Sequence, residues 1–339
     1  MRLRISSMMD DSGELTARFP LVTRLGYSYD RSEGDEHEVR GAVEELFTLP
    51  TEKRNPRTRD LDLMSPLQIA QVMNDEDRRV VAAVRDVLPQ VAEAIELATA
   101  CLKAGGRIIY LGAGTSGRLG MLDASECPPT FGVTENTVVG LIAGGHQALT
   151  RAVENAEDNT SLCKLDLERV GLTTHDLVVG LAASGRTPYV VHGLRLARSR
   201  GCATVAIACV RESLIGKEAL VAIEPDTGAE VLTGSTRLKA GTAQKMILNM
   251  ISTGSMVGAG KVYQNLMVDV QQSNEKLRVR ARYIVGEATG CTEEQAEQAL
   301  AQAHGHAKTA IVMLLLDVPC TEAADLLRKA GGRVRDAIA

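Results

Sequence analysis

Five short hydrophobic runs lie in the central part of the chain, and small residues follow each of them. Val, Ile and Leu fill consecutive positions in these runs rather than alternate ones, which is typical of strands buried on both faces. Segments with helical spacing separate the runs, and this alternation predicts an α/β fold with a doubly wound, five-stranded parallel sheet. The predicted strands are 107–111, 137–143, 177–182, 203–209 and 220–223, and the predicted helices between them are 118–125, 148–157, 190–199 and 214–219.

Helical patterns also flank the predicted sheet. Before it, Asn74 or Asp75 can cap one helix, and a second helix that starts near Pro89 is closed by Gly105-Gly106. After it, the chain turns helical, so we expect a C-terminal helical region appended to the sheet. The predicted helices of this part are 239–257, 292–316, which Thr292 caps, and 321–330, whereas 270–282 is ambiguous.

The chain therefore divides into four predicted parts. The first is polar, mixed in charge and weakly periodic, as expected of a poorly ordered extension. The four parts are an extension over 1–50, an N-terminal segment and helix over 51–96, a ligand-binding sheet domain over 97–260, and a helical region over 261–339.

Composition narrows the classes of function. The 339 residues carry a net charge of −5, which disfavours nucleic acid as a partner, because phosphate contacts need a basic face. No apolar stretch reaches the roughly 20 residues of a membrane span, and the start resembles no signal peptide. Seven Cys without a CxxC pair predict neither disulfides nor a zinc site. We expect a cytoplasmic protein with no membrane partner.

A glycine-rich loop follows the first predicted strand. The sequence G-A-G-T-S-G-R at 112–118 matches the G-x-G-x-x-G fingerprint of dinucleotide-binding sites. The acidic ribose ligand of that fingerprint is missing at the end of the second predicted strand, where Gly144-Gly145-His146 stands. The hydroxyls of Thr115 and Ser116, with backbone amides at a helix start, instead favour a single phosphate group.

Two further loops repeat this chemistry. Ser184 and Thr187 flank a glycine turn after the third predicted strand, and Ser235 and Thr236 precede the helix that begins near Lys239. Each hydroxyl could be a simple helix cap that contributes about 1 kcal/mol. Three such loops, two of them at strand ends of one parallel sheet, predict a pocket for a phosphorylated small molecule at the point where the strand order reverses.

The continuous run L-G-A-G-T-S-G-R-L-G-M-L-D-A-S-E-C-P-P-T-F-G at 111–132 is more specific. It resembles the signature of N-acetylmuramic acid 6-phosphate etherases, lyases of bacterial cell-wall sugar recycling, and the loops at 112–118 and 183–187 resemble those of sugar isomerase (SIS) domains. The resemblance extends over about residues 51–339. It implies a SIS domain, a phosphorylated amino-sugar substrate and a homodimer, because neighbouring subunits commonly complete SIS sites.

The reaction that this family performs sets chemical requirements. Carbon 2 of the open-chain sugar is α to an aldehyde, so a carboxylate can remove its proton, and loss of D-lactate from carbon 3 is followed by addition of water. This route needs a base at carbon 2, an acid at the departing ether oxygen and a binding site for the phosphate. It needs no metal and no redox cofactor, so we expect no cofactor.

Two carboxylates are candidates for the acid and the base. Pro128-Pro129 is expected to end the helix begun by the first loop at Cys127, which would hold Glu126 close to that loop. By the resemblance, Glu126 is the catalytic acid. Spacing alone does not choose between Glu154, Glu157 and Asp158 in the predicted helix after the second strand. The resemblance selects Glu157 as the second catalytic residue and the base at carbon 2.

The remaining candidates bind substrate. Thr115, Ser116, Ser184 and Thr187 are the expected phosphate ligands, although the further Ser that related SIS loops carry is Ala182 here. Gly114 is a further expected substrate contact. Ser235, Thr236 and Lys239 are expected to reach the sugar or to assist ring opening. The alternative for Lys239 is an exposed cation on the surface of a helix. Two other functions remain open. A sugar-phosphate isomerase would not need the Glu126-Cys127-Pro128-Pro129 element, and a sugar-phosphate-sensing regulator would not need both glutamates.

Overall fold

The computed structural model describes residues 49–272 and 275–339. The predicted extension over 1–50 lies outside the described residues except for its last two positions. Within the described part, the helices are too short or too polar to cross a bilayer.

The sheet confirms the predicted α/β fold. Its five strands are all parallel and lie in the order β2-β1-β3-β4-β5. Each predicted strand is present and differs from the observed one by two residues or fewer at either end. The observed strands are β1 (Ile108–Gly112), β2 (Val138–Ile142), β3 (Leu177–Leu181), β4 (Ala203–Ile207) and β5 (Val221–Ile223).

Helices account for most of the remaining described residues. Two precede the sheet, four connect its strands, one long helix follows β5, and five form the C-terminal region. They are α1 (Pro66–Asp86), α2 (Leu88–Lys103), α3 (Gly114–Phe131), α4 (Thr160–Arg169), α5 (Pro188–Ser199), α6 (Leu214–Lys217), α7 (Lys239–Gly258), α8 (Glu275–Thr289), α9 (Glu293–Gln302), α10 (Ala307–Leu316), α11 (Cys320–Lys329) and α12 (Val334–Ala337). Short 3₁₀ helices lie at Pro50–Glu52, Pro56–Thr58, Leu61–Leu63 and Gly145–Leu149.

Both faces of the sheet are buried, as the uninterrupted hydrophobic runs predict. In β1, Ile108 and Tyr110 pack against α2, α3 and α7, whereas Ile109 and Leu111 pack against α4 and α5. Residues from 263 onward form a separate hydrophobic core, which α8 to α12 share. The appended helical region of the prediction therefore has its own core. All seven cysteines are free thiols in the structure.

Two of the predicted helices differ from the observed ones. The first helix begins at Pro66 rather than near Asn74, because Ser65 and Gln68 form a capping box around its first turn. The helix expected from Thr292 to Leu316 is two helices, broken where His304 and Gly305 adopt positive φ. The predicted cap of α9 by Thr292 is confirmed, and Gln295 completes a capping box there.

The connection after β2 also differs. The helix predicted over 148–157 is wrong: a short 3₁₀ helix ends at Leu149 and a series of turns leads to α4. Asn155 has a φ of 61°, which an α-helix cannot accommodate, and the side chain of Asn159 caps α4 by accepting from the amides of Ser161 and Leu162. Glu157 consequently lies on an exposed turn rather than on a helix.

Candidate active site

The strand order indicates where a ligand would bind. The order of the strands reverses between β1 and β3, and ligands of open α/β sheets bind beyond the carboxyl ends of strands at such a point. Gly112 at the end of β1 pairs with Leu181 at the end of β3, so the two strands end level with each other. The first and second phosphate loops of the sequence prediction therefore lie side by side at this edge.

The first loop leads directly into α3. Gly114 has a φ of 52° and begins the helix, so the amides of Thr115 and Ser116 belong to its first turn. Amides at a helix start are free to bind an anion. Thr115 is half-buried, whereas Ser116 is buried, and its hydroxyl donates to Oε1 of Gln244 on α7 at 2.9 Å. Ser116 is thus tied to a second helix that the sequence prediction did not connect to this loop.

The second loop turns sharply at Gly185. Its φ is 70°, and a Cβ there would lie 2.3 Å from Cβ of Ser213, so this position requires glycine. The amide of Gly185 donates to the carbonyl of Ala182, and the carbonyl of Gly185 accepts from the amide of Ile215 on α6. These contacts fix the turn and leave Ser184 half-exposed at the edge of the sheet.

Thr187 and Glu157 form the most direct link between two predicted site residues. Oγ1 of Thr187 donates to Oε1 of Glu157 at 2.8 Å, and the backbone amide of Tyr189 donates to the backbone carbonyl of Glu157 at 3.0 Å. Both contacts lie at the start of α5. The exposed turn that carries Glu157 is therefore held against the second loop, and the proton of the Thr187 hydroxyl is directed at the carboxylate.

The third loop approaches the first. A methyl group at Gly241 on α7 would lie 3.6 Å from Cγ2 of Thr115 and 3.5 Å from the carbonyl oxygen of Thr236. Ser235 and Thr236 are half-buried, and the amide of Gly241 donates to the carbonyl of Thr236. The structure therefore brings all three predicted loops to one edge of the sheet.

Lys239 differs from its sequence prediction. It is fully buried, so the alternative of an exposed helix cation is wrong, and Nζ lies 2.8 Å from Oε2 of Glu76 on α1. The reason is a buried polar cluster: the carboxylate of Glu76 also accepts from Asn55 and Arg57 at 2.9 Å each. The ammonium of Lys239 is paired inside this cluster, and its expected contact with the substrate stays a prediction.

The carboxylate of Glu230 anchors the start of α7. It accepts from the backbone amides of Lys239 and Ala240 at 3.0 Å and 2.9 Å, so it caps the helix from nine residues upstream. Burial raises the pKa of Glu230, against the opposing effect of these two amides. For Glu76, burial would also raise the pKa, but the bonds from Lys239, Asn55 and Arg57 outweigh it and lower the pKa below its usual value.

The segment before α1 lies against the third loop. Nδ2 of Asn55 donates to the carbonyl of Ala229, and Oγ1 of Thr58 donates to the carbonyl of Val231. A methyl group at Gly234 would lie 3.2 Å from Oε2 of Glu52. Residues 51–58 therefore help to shape the site. The sequence contains one indication of this buried cluster. Glu76 stands four and eight residues before the buried Val80 and Val84, so it lies on the apolar face of its helix, and a buried carboxylate needs a partner.

Glu126 lies far from the first loop of its own chain. It stands twelve residues after Gly114 on α3, which corresponds to about 18 Å along the helix axis. Earlier on this helix, Gly120 and Met121 already contact Tyr110 and Gly140, which are the central residues of β1 and β2. Glu126 therefore lies near the amino-terminal edge of the sheet, and the expectation that it is held close to the first phosphate loop is wrong.

The distance of Glu126 from the loop follows from the twelve helical residues that separate it from Gly114. The helix end also differs from the prediction, because α3 continues through Pro128 and Pro129 to Phe131 instead of ending at Cys127. The two prolines remove two amide donors, but the side chains of Cys127 and Phe131 are buried on one face and hold the helical register. Gly132 ends the helix with a φ of 63°, and its amide donates to the carbonyl of Pro128. Glu126 is exposed on the opposite side of this last turn.

Family models of SIS domains agree with this architecture. Family models match residues 90–198 (glucokinase regulatory protein N-terminal SIS domain), 169–253 (SIS domain) and 264–309 (C-terminal lid domain of glucokinase regulatory protein). A solved phosphoheptose isomerase from Neisseria gonorrhoeae is similar with a TM-score of 0.43 and 16% identity, over 56% of this chain and 96% of that one.

Curated relatives are much more similar. The N-acetylmuramic acid 6-phosphate etherase of Mycolicibacterium smegmatis is 60% identical over 294 residues, which cover 87% of this chain and 99% of the relative. The protein of the same name from Pectobacterium atrosepticum is 59% identical, over 86% of this chain and 97% of the relative.

The parallel sheet with its strand order, its two loops at the switch point and the domain matches define a SIS-domain protein. Within that class, the identity over nearly the whole length of the relatives is decisive. The chain belongs to the N-acetylmuramic acid 6-phosphate etherase family.

Proposed function

We propose that this protein is a carbon–oxygen lyase that cleaves the D-lactyl ether of N-acetylmuramic acid 6-phosphate. The products are N-acetylglucosamine 6-phosphate and D-lactate, and the role is amino-sugar recycling. The observation that carries the proposal is the 55–60% identity to etherases over 86–87% of the chain. The three loops at one edge of the sheet support it, because they suit a phosphorylated sugar.

The reaction proceeds by elimination and then hydration. Glu157 removes the proton from carbon 2 of the open-chain sugar, the electron pair forms the carbon 2–carbon 3 double bond, and the carbon 3–oxygen bond breaks. Glu126 gives a proton to the departing lactyl oxygen, and water then adds to carbon 3 while carbon 2 regains a proton. Oε2 of Glu157 suits the role of a base, because within residues 49–272 and 275–339 only Oε1 accepts a hydrogen bond.

The phosphate binds at the start of α3. The amides of Thr115 and Ser116, the half-exposed Ser184 and the positive end of an 18-residue helix supply the attraction. Thr187 has a different part from the one expected of a phosphate ligand, because its hydroxyl proton is directed at Glu157. It acts as a positioning residue for the carboxylate.

The active protein is a homodimer in which Glu126 serves the site of the partner subunit. A hexose 6-phosphate spans far less than the roughly 18 Å between Gly114 and Glu126 along α3, so one subunit cannot hold the phosphate on its first loop and protonate the same substrate with Glu126. The exposure of Glu126, and that of Leu122 one turn earlier at 51%, suit a surface that meets a second copy.

The protein acts in the cytoplasm and its steps require no metal or redox cofactor. Each chemical task in the elimination and the hydration is a proton transfer, which carboxylates perform.

The test is release of D-lactate from N-acetylmuramic acid 6-phosphate, with Glu126→Gln and Glu157→Gln as variants. We expect turnover by the wild type, none by either variant, and unchanged thermal unfolding. In ¹⁸O-water, solvent oxygen should appear on carbon 3 of the sugar. An isomerase or a sensing regulator, the class suggested by the glucokinase regulatory protein models, would release no lactate. Wild-type turnover in either variant would remove that residue from the mechanism.

A further inference from the structure

Gln244 on α7 carries a buried polar group that the proposed mechanism does not use. Its side chain is 1% exposed, and Oε1 accepts the hydrogen bond from Oγ of Ser116. Nε2 is buried and has no hydrogen-bond partner among the described residues. A buried amide donor without an acceptor costs about 1–3 kcal/mol, so this arrangement needs a functional or structural reason.

The contact between Ser116 and Gln244 permits two directions of hydrogen bonding. A hydroxyl both donates and accepts, and the two ends of a side-chain amide have nearly the same size. In one direction, Ser116 donates to Oε1 and its proton points into the protein. In the other, Nε2 donates to Oγ, and the hydroxyl proton of Ser116 is free to bond elsewhere. In the structure, Oγ of Ser116 lies 2.9 Å from Oε1, which is the first direction, and turning the amide would place Nε2 where Oε1 now lies.

An anion at the start of α3 would select the second direction. Ser116 is the third residue of this helix, beside the amides that bind phosphate in the proposed function. A hydrogen bond from a hydroxyl to a phosphate oxygen is charge-assisted and stronger than one to a neutral amide. Turning the amide pairs the orphaned Nε2 with Ser116, to which it then donates, and moves Oε1 to the buried position without a partner.

We propose that Gln244 is a positioning residue of the phosphate site, whose side-chain amide turns when an anion binds and directs the hydroxyl of Ser116 toward it. The inference rests on the proposed function for the identity of the sugar, but not for the anion. The turn itself requires a side chain that both accepts and donates, whereas the Ser116 proton can reach the anion whenever the side chain at position 244 does not hold it inward. An ionised carboxylate only accepts and would keep the Ser116 proton inward, whereas a thioether such as Met leaves the hydroxyl free.

The experiment measures binding of inorganic phosphate to the full chain at pH 8.5 by titration calorimetry. The proteins are wild type, Ser116→Ala, Gln244→Glu and the double variant, with Gln244→Met and its Ser116→Ala double variant as a matched pair. We expect Ser116→Ala to weaken phosphate binding about tenfold in wild type, less than about twofold after Gln244→Glu, and about tenfold after Gln244→Met. Gln244→Met alone should change binding less than about fivefold.

Two results would overturn the inference: an equal effect of Ser116→Ala in wild type and after Gln244→Glu, or no effect in wild type. If Gln244→Glu fails to fold, the Met pair decides, and a loss of more than about fivefold in Gln244→Met alone overturns it. D-lactate release by the wild type is measured separately. If the wild type releases no D-lactate but the effect of Ser116→Ala still depends on residue 244 as described, the proposed function is rejected and the role of Gln244 is retained.

Discussion

The buried ion pair between Lys239 and Glu76 leads to a sharp prediction about stability. Both side chains have no exposed surface, and their charged atoms lie 2.8 Å apart. Lys239→Met retains the volume of the side chain and leaves the carboxylate of Glu76 with Asn55 and Arg57. Removing one partner of a buried pair costs about 3–5 kcal/mol, and we expect the lower end because Arg57 remains.

The penalty should depend on pH. In the wild type the pKa of Glu76 is lowered, so its charged form contributes stability above the unfolded value near 4.5, and this contribution is lost as the pH falls through the folded value. Without Lys239, burial is less well opposed and the folded pKa rises. The variant should therefore show its full penalty at pH 7.5 and a smaller one near pH 5, where the carboxyl takes up a proton.

The assay is urea and thermal unfolding of Lys239→Met at both pH values, with Lys245→Met as control because Lys245 is exposed on the same helix. A loss of about 3 kcal/mol should lower the melting temperature by about 4–5 °C at pH 7.5, whereas the control should differ little from wild type. The Glu76→Gln/Lys239→Met double variant should recover much of the loss. A penalty equal to that of the control, or one independent of pH, would refute the reasoning.

Two further changes test individual parts of the site. Thr187→Val keeps the shape of the side chain but removes the hydroxyl that donates to Glu157. The kcat for lactate release should therefore fall about tenfold or more, while phosphate affinity changes less than about twofold. Thr187→Ser should retain most of the activity, and a loss confined to phosphate affinity would contradict the role of Thr187 as a positioning residue. Gly132→Ala adds a Cβ that would lie 2.2 Å from the carbonyl oxygen of Asp269, at a φ of 63°. It should lower the melting temperature clearly more than Gly105→Ala, which has a positive φ but open space and should cost about 1–2 kcal/mol; equal losses would argue against the packing explanation.

The sheet was predictable because its inner strands β1, β3 and β4 are buried on both faces and show this as hydrophobic runs. The loops at its edge were predictable because Thr115 and Ser184 follow recognisable strands and Thr236 precedes a recognisable helix. The helix expected over 148–157 was wrong because its boundary depends on the positive φ of Asn155, which the hydrophobic pattern does not encode.

Tertiary contacts account for what the sequence did not reveal. The sequence around Lys239 does not indicate burial, because its partner Glu76 lies 163 positions away in the chain. Likewise, nothing near Glu230 in the sequence indicates that it caps a helix that begins nine residues later. The two prolines at 128–129 predict a helix end, but the burial of Cys127 and Phe131 overrides that preference. The resemblance selected Glu126 and Glu157, but it did not reveal that Glu126 lies about 18 Å from its own phosphate loop.

Complementation between two inactive variants tests most directly whether Glu126 and Glu157 act together across a subunit interface. Glu126→Gln and Glu157→Gln proteins are mixed in equal amounts, allowed to exchange subunits and assayed for D-lactate. In the mixed dimer, one site would combine an intact Glu157 with the partner's intact Glu126, so random exchange should restore about one quarter of the wild-type activity per subunit. If subunits exchange but no activity returns, the two carboxylates do not meet across the interface and the account is contradicted.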